Sequence, residues 1–434
     1  MIPGRGKGPS EKRTGYLFIL PALILIFVIA MYPVAHSFWL SLYDVRLNDP
    51  AKSEAYTHYG VNVQLYAENF PFLLTSLKDE IEGAKGETRE RLTKLKDRVE
   101  RVNAAFREKS AFANRYDEVD ERLLEGETVP EEERFIEVDR QQAQAAAREL
   151  EKVEAELAGL KKSLKDPDRV IGLSKGLQDS LIEPNFVGLK YYKLYLQDGR
   201  MWASLENTFV FTVISVALEL VLGLWIAVVL NREFIGRGLV RASVLIPWAL
   251  PTAVAALMWK FLFDGQNGIL AFLFEKIGLL PHMGVLLTTK FWSMFAVIFA
   301  DVWKTTPFMT LLILAGLQTI PKNLYEAAEV DGASRIQQFF KITLPMLRNT
   351  LLVALLFRTL DAFRVFDLIY VLTGGGPANA TETISVYAYK TMFAQLNFGA
   401  GSALAVIVFL FVALISMLFV KMLGKDLISD GGSK

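Results

Sequence analysis

The chain has 434 residues, 52% of them apolar, and its 47 basic and 47 acidic side chains leave no net formal charge. It has no cysteine and three scattered histidines, His36, His58 and His282. Disulfides, thiolate metal sites and a cysteine nucleophile are therefore excluded, and a histidine metal site has no cluster to build on.

The averages conceal a segregation. Apolar residues gather in runs of twenty or more, the length that spans a bilayer core of roughly 30 Å, while many charges sit in one central block. Met1–Thr14 is basic through Arg5, Lys7, Lys12 and Arg13. Tyr16–Leu42 is then apolar for about 27 residues, with Pro21 and Pro33 inside it. A secretory signal would have an apolar core of only about 7–15 residues and close on a small-x-small site. This run is longer and ends in Phe38-Trp39-Leu40, so it reads as a retained span that starts in the cytoplasm.

Tyr43–Thr75 is mixed and aromatic and reads as an ordered connector. From Leu77 the texture changes. Apolar or small residues recur in threes and fours at Leu77, Ile81, Ala84, Thr88, Leu92, Leu95, Val99, Val102 and Phe106, with one extra four at Leu92. That is a heptad seam with a stutter. Gly126–Pro130 has breaker composition. A second seam follows at Ala143, Ala146, Leu150, Val153, Leu157, Leu160 and Leu164. The two seams predict an antiparallel helical hairpin over 76–164 that projects on the order of 45–70 Å at 1.5 Å per residue.

Asn185–Tyr195, NFVGLKYYKLY, places aromatics at the depth where a bilayer meets water. Asn207–Leu230 is the next span, and Asn231–Arg241 carries Arg232, Arg237 and Arg241, which marks a cytoplasmic loop. Leu239–Phe263 returns outward, broken by Pro247 and Pro251. Asp264–Lys290 is an outer loop and Phe291–Leu317 comes inward. Pro321–Pro345 is cytoplasmic, with Lys322, Arg335, Lys341 and Arg348 around it. Thr350–Thr373 goes out, Gly374–Ala400 is an outer loop, and Gly401–Leu423 comes in toward Lys421 and Lys425. Six spans with both termini inside satisfy span count and loop charge together.

Two features of this core bear chemistry. The first is Pro321–Pro345, PKNLYEAAEVDGASRIQQFFKITLP. Pro321 can open a helix, Gly332 can end one, Ser334 with Gln337 has capping-box spacing, and Pro345 forces a kink if helix continues. The pattern is helix, sharp turn, helix. The second is a set of ionisable residues inside apolar runs, each costing about 2.5–3.5 kcal/mol to insert. Asp301 and Lys304 lie in one span beside Thr305, Thr306 and Pro307, and Arg358, Asp361, Arg364 and Asp367 lie in another. Arg358, Asp361 and Val365 share a helical face, with Ala362 beside them. Pro307 leaves the Trp303 carbonyl without its helical N–H partner. An interhelical ion-pair network of Lys304, Arg358 and Asp361 is the structural alternative to a pathway role. Glu219, the lone acid of its span, is expected to pair with a neighbouring helix or a partner subunit, with a proton or ion relay as the alternative.

Glu326-Ala327-Ala328, three residues, Gly332, nine residues, Ile342, one residue, Leu344-Pro345 resembles the EAA loop of binding-protein-dependent ABC importers. The resemblance runs from about Phe186 to about Leu423 and is closest to the sugar-permease branch, the larger membrane subunit of the maltose type. It does not cover the charged block from about Ser76 to Leu164. It implies an all-α membrane protein of six transmembrane helices, with the extracytoplasmic hairpin inserted between the first and second. The parts are an N-terminal tail and first span (1–42), an extracytoplasmic region (43–185) and a permease core (186–434). By resemblance, Glu326, Ala327, Ala328 and Gly332 dock in an ATPase cleft. The sugar-contacting positions fall on Lys304, Thr305, Phe308, Arg358, Asp361, Ala362 and Val365. Nearly all of these depart from the maltose subunit, with charged groups at Lys304, Arg358 and Asp361, which suits a different polyhydroxylated solute.

The implied partners are a second homologous permease, two ATP-binding subunits, an extracytoplasmic solute-binding protein and membrane lipid, with no nucleic acid. The implied location is a bacterial or archaeal inner membrane. No GxxxxGK[ST] loop is present, so this chain is not expected to be an enzyme, and ATP and Mg would belong to the partner subunits. The charged block reads either as a spacer or as a docking surface for the binding protein. A polyol or glycerol phosphate permease is the alternative within the class. A membrane-anchored coiled-coil scaffold is the alternative outside it.

Overall fold

The computed structural model describes residues 11–431. The basic tail, from Arg5 to Arg13, and Lys425 fall outside the residues whose side chains are described. The chain divides into two units, Met1–Tyr191 with Leu396–Ala400, and Tyr192–Gln395 with Gly401–Lys434.

The first unit opens with an apolar helix, α1 (Glu11–Ile26), continued through a π turn at Phe27–Met31 into α2 (Tyr32–Leu40). Phe18–Leu40 is long and apolar enough to cross a membrane, and its side chains are exposed along its length. The remainder is a helical bundle with a small sheet. Its elements are β1 (Gly60–Asn62), α3 (Val63–Gly83), α4 (Gly86–Arg107), α5 (Ser110–Glu125), α6 (Glu131–Arg134), β2 (Phe135–Glu137), α7 (Arg140–Gly159), α8 (Pro167–Asp179) and β3 (Leu181–Ile182). The strands form an antiparallel sheet of order β2-β1-β3, with Val61 opposite Ile136 on one side and Leu181 on the other.

This bundle corrects the expected two-helix hairpin and the all-helical reading. An antiparallel pair is present: Arg98 of α4 binds Glu156 of α7 at 3.0 Å, and Gln142 at the start of α7 reaches the Ala105 carbonyl near the end of α4. But α3 packs against α4, α5 and α8, and α7 against α8. One core therefore runs from Val61 to Leu181 rather than over 76–164. Seam residues Leu77, Leu92, Leu95, Val99, Val102 and Phe106 are buried, as are Ala143, Ala146, Leu150, Val153 and Leu157. The apparent stutter marks two helices, not one. The chain leaves the helix at Gly83 and restarts at Gly86, whose φ of +57° is open to glycine at little cost. Each long helix has 20–22 residues, about 30 Å, so the insertion is shorter and thicker than a hairpin of that sequence length. The supposed connector supplies much of the core: Tyr66 packs edge-on against Phe106, Phe112 and Tyr116.

The base of this unit is polar and closed. Asn185 donates to the Asp44 and Glu54 carbonyls and accepts from the Tyr56 N–H. Asp44 accepts from the Tyr191 hydroxyl at 2.5 Å, from Arg46 at 2.7 Å and from Lys52 at 3.1 Å. Burial pushes the Asp44 carboxyl up, but these three bonds win and hold it down at about 2.

The second unit begins within α9 (Lys190–Gln197) and continues through α10 (Gly199–Asn231), α11 (Arg237–Ala249), α12 (Thr252–Leu262), α13 (Ile269–Lys276) and α14 (Lys290–Leu317). Then come α15 (Lys322–Val330), α16 (Arg335–Gln338), α17 (Leu344–Met346), α18 (Arg348–Phe363), α19 (Asp367–Leu372), α20 (Ile384–Tyr389) and α21 (Phe398–Gly431). The α10–α14 pair is its central contact. Gly223 permits it, since a Cβ there would meet the Met309 side chain at 2.9 Å, and Gly316 does the same for α18 beneath Thr350.

Six crossings were expected, one of them broken at Pro247 and Pro251. The described residues give four straight helices of spanning length, Phe18–Leu40, Gly199–Asn231, Lys290–Leu317 and Phe398–Met422, plus two bent pairs. The α11–α12 pair turns by 90° at Leu250-Pro251, where the sequence places its prolines. The other bend, 64°, separates Arg335–Met346 from α18 just after Pro345. The expected span Thr350–Thr373 is interrupted: α18 stops at Phe363 after 16 residues, about 24 Å, and α19 restarts at Asp367. The interruption carries Arg364, a charge that a continuous hydrocarbon-facing helix would have to bury.

Candidate functional site

Three helices of the second unit converge on one arginine. Arg358 of α18 is 2% exposed. Its Nε and Nη2 donate in a fork to Glu219 of α10, with Nη2–Oε1 at 2.9 Å. Nη2 also reaches Asp301 of α14, and Nη1 donates to Asp361 at 3.1 Å. Glu219 is fully buried and accepts a further bond from the Thr305 hydroxyl at 2.8 Å. The expected pairing of Glu219 with another helix is thus to Arg358. The ion-pair network exists, but its members are Glu219, Asp301, Arg358 and Asp361. Lys304 lies one turn from Asp301, buried, without an ion pair within 4.0 Å among the described residues.

A cavity of about 260 Å³ opens beside this cluster. Lys304, Thr305, Arg358, Asp361 and Val365 line it, with Trp248, Thr252 and the α18–α19 break. Two expected contact residues do not line it. Ala362 is fully buried in the core. Phe308 stacks on Trp248, ring centres 5.9 Å apart, and it is Trp248 that meets the cavity. The Pro251 break that bends α11–α12 is what brings Trp248 and Thr252 to this wall. A larger depression of about 850 Å³ runs along α10 and α14, but its walls are almost wholly apolar, and a ligand site needs convergent polar groups.

Sequence reasoning missed a second buried cluster. Glu382, fully buried in the loop after α19, receives Arg200 Nε at 2.8 Å, Arg200 Nη2 at 2.9 Å and Lys390 Nζ at 2.8 Å. Arg200 also lies 4.3 Å over the Tyr387 ring, whose hydroxyl donates to Asp198. Burial pushes the Glu382 carboxyl up, yet its two cationic partners outweigh this and hold it below the usual carboxylate range. Asn207 of α10 caps the same loop through the Asn379 and Glu382 carbonyls. No periodicity flags this loop, and its α10 partners, Arg200 and Asn207, are more than 170 residues away in sequence.

The loop Pro321–Pro345 forms helix, turn, helix. Pro321 precedes α15, and Gly332 takes φ +78° after it. The Ala333 N–H bonds back to the Ala328 carbonyl at 2.8 Å, closing the turn. Ser334 and Gln337 complete a reciprocal capping box at α16. A bond between the Tyr325 and Thr343 hydroxyls, 2.9 Å, ties the two arms. Glu326, Ala327 and Gly332 are exposed and Ala328 is half-buried. Beside them stand four exposed apolar side chains, Leu324, Val330, Ile336 and Phe340, with Val330 89% exposed. Single exposed apolar residues are ordinary, but four on one short lever form a surface suited to a protein partner.

Residues 219–429 match the family described as the binding-protein-dependent transport system inner membrane component. A trehalose/maltose transport system permease protein of Thermococcus litoralis is 46% identical over 239 residues, covering 55% of this chain and 80% of the relative. A sulfoquinovosyl glycerol transport system permease protein of Agrobacterium fabrum is 41% identical over 225 residues, covering 52% of this chain and 72% of the relative. Among solved structures, a bacterial ABC transporter involved in the import of the acidic polysaccharide alginate superimposes with a TM-score of 0.51 at 23% identity, over 55% of this chain and 84% of that one. That likeness concerns the fold.

Proposed function

The chain belongs to the inner membrane component family of binding-protein-dependent transport systems, as a sugar ABC importer permease subunit, and from this premise we propose that it forms half of the path for a di- or oligosaccharide such as trehalose or maltose. The family is a transport subunit rather than an enzyme. The observation that carries the solute reading is the cavity beside Arg358. It combines charged acceptors and donors, Asp361 and Lys304, with an aromatic face at Trp248. Hydroxyls pair with the first kind of group, and the C–H face of a sugar ring packs on the second.

About 260 Å³ is below the roughly 300–1,000 Å³ of sites that enclose a small organic ligand, so a second permease supplies the facing wall. Rocking of the two permeases about this midspan site would alternate access. The exposed lever from Pro321 to Pro345 docks on one of two ATP-hydrolysing partners, with Glu326 meeting a basic or polar group and the small Ala327 allowing close approach. A solute-binding protein delivers cargo from the outer side of a cytoplasmic membrane, and both termini lie inside. The bundle over 60–182 faces outward and docks that binding protein. Copurification from the native membrane with mass spectrometry of partner chains and retained solute tests the assembly. Two ATPase chains, a second permease and a neutral sugar are expected. Recovery of the chain with no nucleotide-hydrolysing partner overturns it.

A further inference from the structure

The cavity wall carries Asp301, Asp361 and Asp367 against Lys304, Arg358 and Arg364. These charges are not equally available. Carboxylates take four bonds from the five N–H groups of Arg358, and the guanidinium is 2% exposed. It has at most one buried donor to spare and cannot clamp an anionic solute. Its geometry serves another end. Glu219, which does not line the cavity, grips Nε and Nη2 from behind and fixes the guanidinium plane. That plane presents Nη1 to Asp361 at 3.1 Å. The Asp361 side chain is 60% exposed and faces the cavity, with Arg364 at 3.8 Å as a second brace. A carboxylate held open in this way accepts solute hydroxyls and repels negative charge.

We infer that Glu219, acting through Arg358, is a positioning residue for Asp361, and that Asp361 selects neutral polyhydroxylated solutes against anionic ones. The inference rests on the carbohydrate reading above and adds the charge class of the solute and the residue that sets it. Three acids and three bases on the wall agree with it, because the lining has no net positive charge to draw a phosphate or sulfonate.

The test is direct binding of radiolabelled trehalose and trehalose 6-phosphate to the assembled complex, without added binding protein so that its own selectivity does not enter. Wild type should prefer the neutral sugar at least tenfold. Asp361→Asn should cut that preference at least tenfold. Glu219→Gln should shift it in the same direction although residue 219 touches no solute, and Glu219→Asp should restore part of it. A purely structural role for Glu219 would lower the yield of complex and leave the preference unchanged. An unchanged preference in both Asp361→Asn and Glu219→Gln overturns the inference while leaving the carbohydrate reading intact. Wild type that binds neither sugar removes the carbohydrate reading and the inference with it.

Discussion

Replacing Arg358 by Met removes the side chain that bridges α10, α14 and the cavity edge of α18. Glu219, fully buried, keeps one bond, from the Thr305 hydroxyl. Asp301, 5% exposed, loses its ion-pair partner and is left near a second carboxylate. Removing one member of a buried ion cluster costs about 3–5 kcal/mol, because the remaining charge stays desolvated. Removing all the charges together is often neutral. The triple variant Arg358→Met, Glu219→Met, Asp301→Asn should therefore recover most of the stability that Arg358→Met loses. Reversible SDS titration in mixed micelles, followed by tryptophan emission, reads both. A loss below about 1 kcal/mol for Arg358→Met, or a triple variant no better than the single, refutes the view that these groups form one buried unit.

Further predictions follow from other contacts. Gly332→Ala should cost about 1–2 kcal/mol locally, since φ there is +78° and no atom lies within 4 Å to clash. Gly332→Pro should fold its spans but lose ATP-driven uptake, because proline cannot take that φ; normal uptake in this variant would remove the lever's role. Gly316→Val should destabilise by about 1–3 kcal/mol, as even a Cβ would sit 2.6 Å from the Thr350 hydroxyl; equal melting of variant and wild type would contradict the packing. Asp44 is ionised well below its ordinary range in the folded state, so its stabilisation is present above about pH 4 and lost as pH falls toward 2. Asp44→Asn should flatten that acid limb in a pH series of melts. Deleting 76–164 should leave aggregated protein, because Tyr66, Phe70, Leu73 and Leu177 would lose their core, whereas bridging Tyr59 to Glu183 should leave a stable chain in which binding-protein affinity can be measured.

Local signals were legible and long-range ones were not. Proline, glycine and capping positions gave the lever and the α11–α12 break, because each acts within one turn of chain. Apolar periodicity located the buried faces of α4 and α7, down to Leu92, Leu95, Leu150 and Val153. It could not say how many helices share those faces. A heptad seam and one side of a bundle core have the same spacing, and the strands at Gly60–Asn62 and Leu181–Ile182 are too short to show a period of two. The polar cluster was half legible. Charged residues in apolar runs marked Lys304, Arg358 and Asp361, and resemblance added Thr305, Phe308, Ala362 and Val365. Which charges meet depends on helix rotation and on the close approach at Gly223, and a single sequence encodes neither plainly. The helix stop at Phe363, which opens the cavity, has no proline or glycine to announce it.

The absence of cysteine makes the decisive measurement clean. Glu326→Cys would be the chain's sole thiol, on the exposed face of α15. The account predicts that a membrane-impermeant maleimide labels it in inverted vesicles and not in right-side-out ones. It also predicts that a short bifunctional reagent joins it to a nucleotide-hydrolysing subunit, with ATP altering the yield. Labelling from the outer face, or adducts with no ATPase under any nucleotide condition, would contradict the coupling role from which the rest follows.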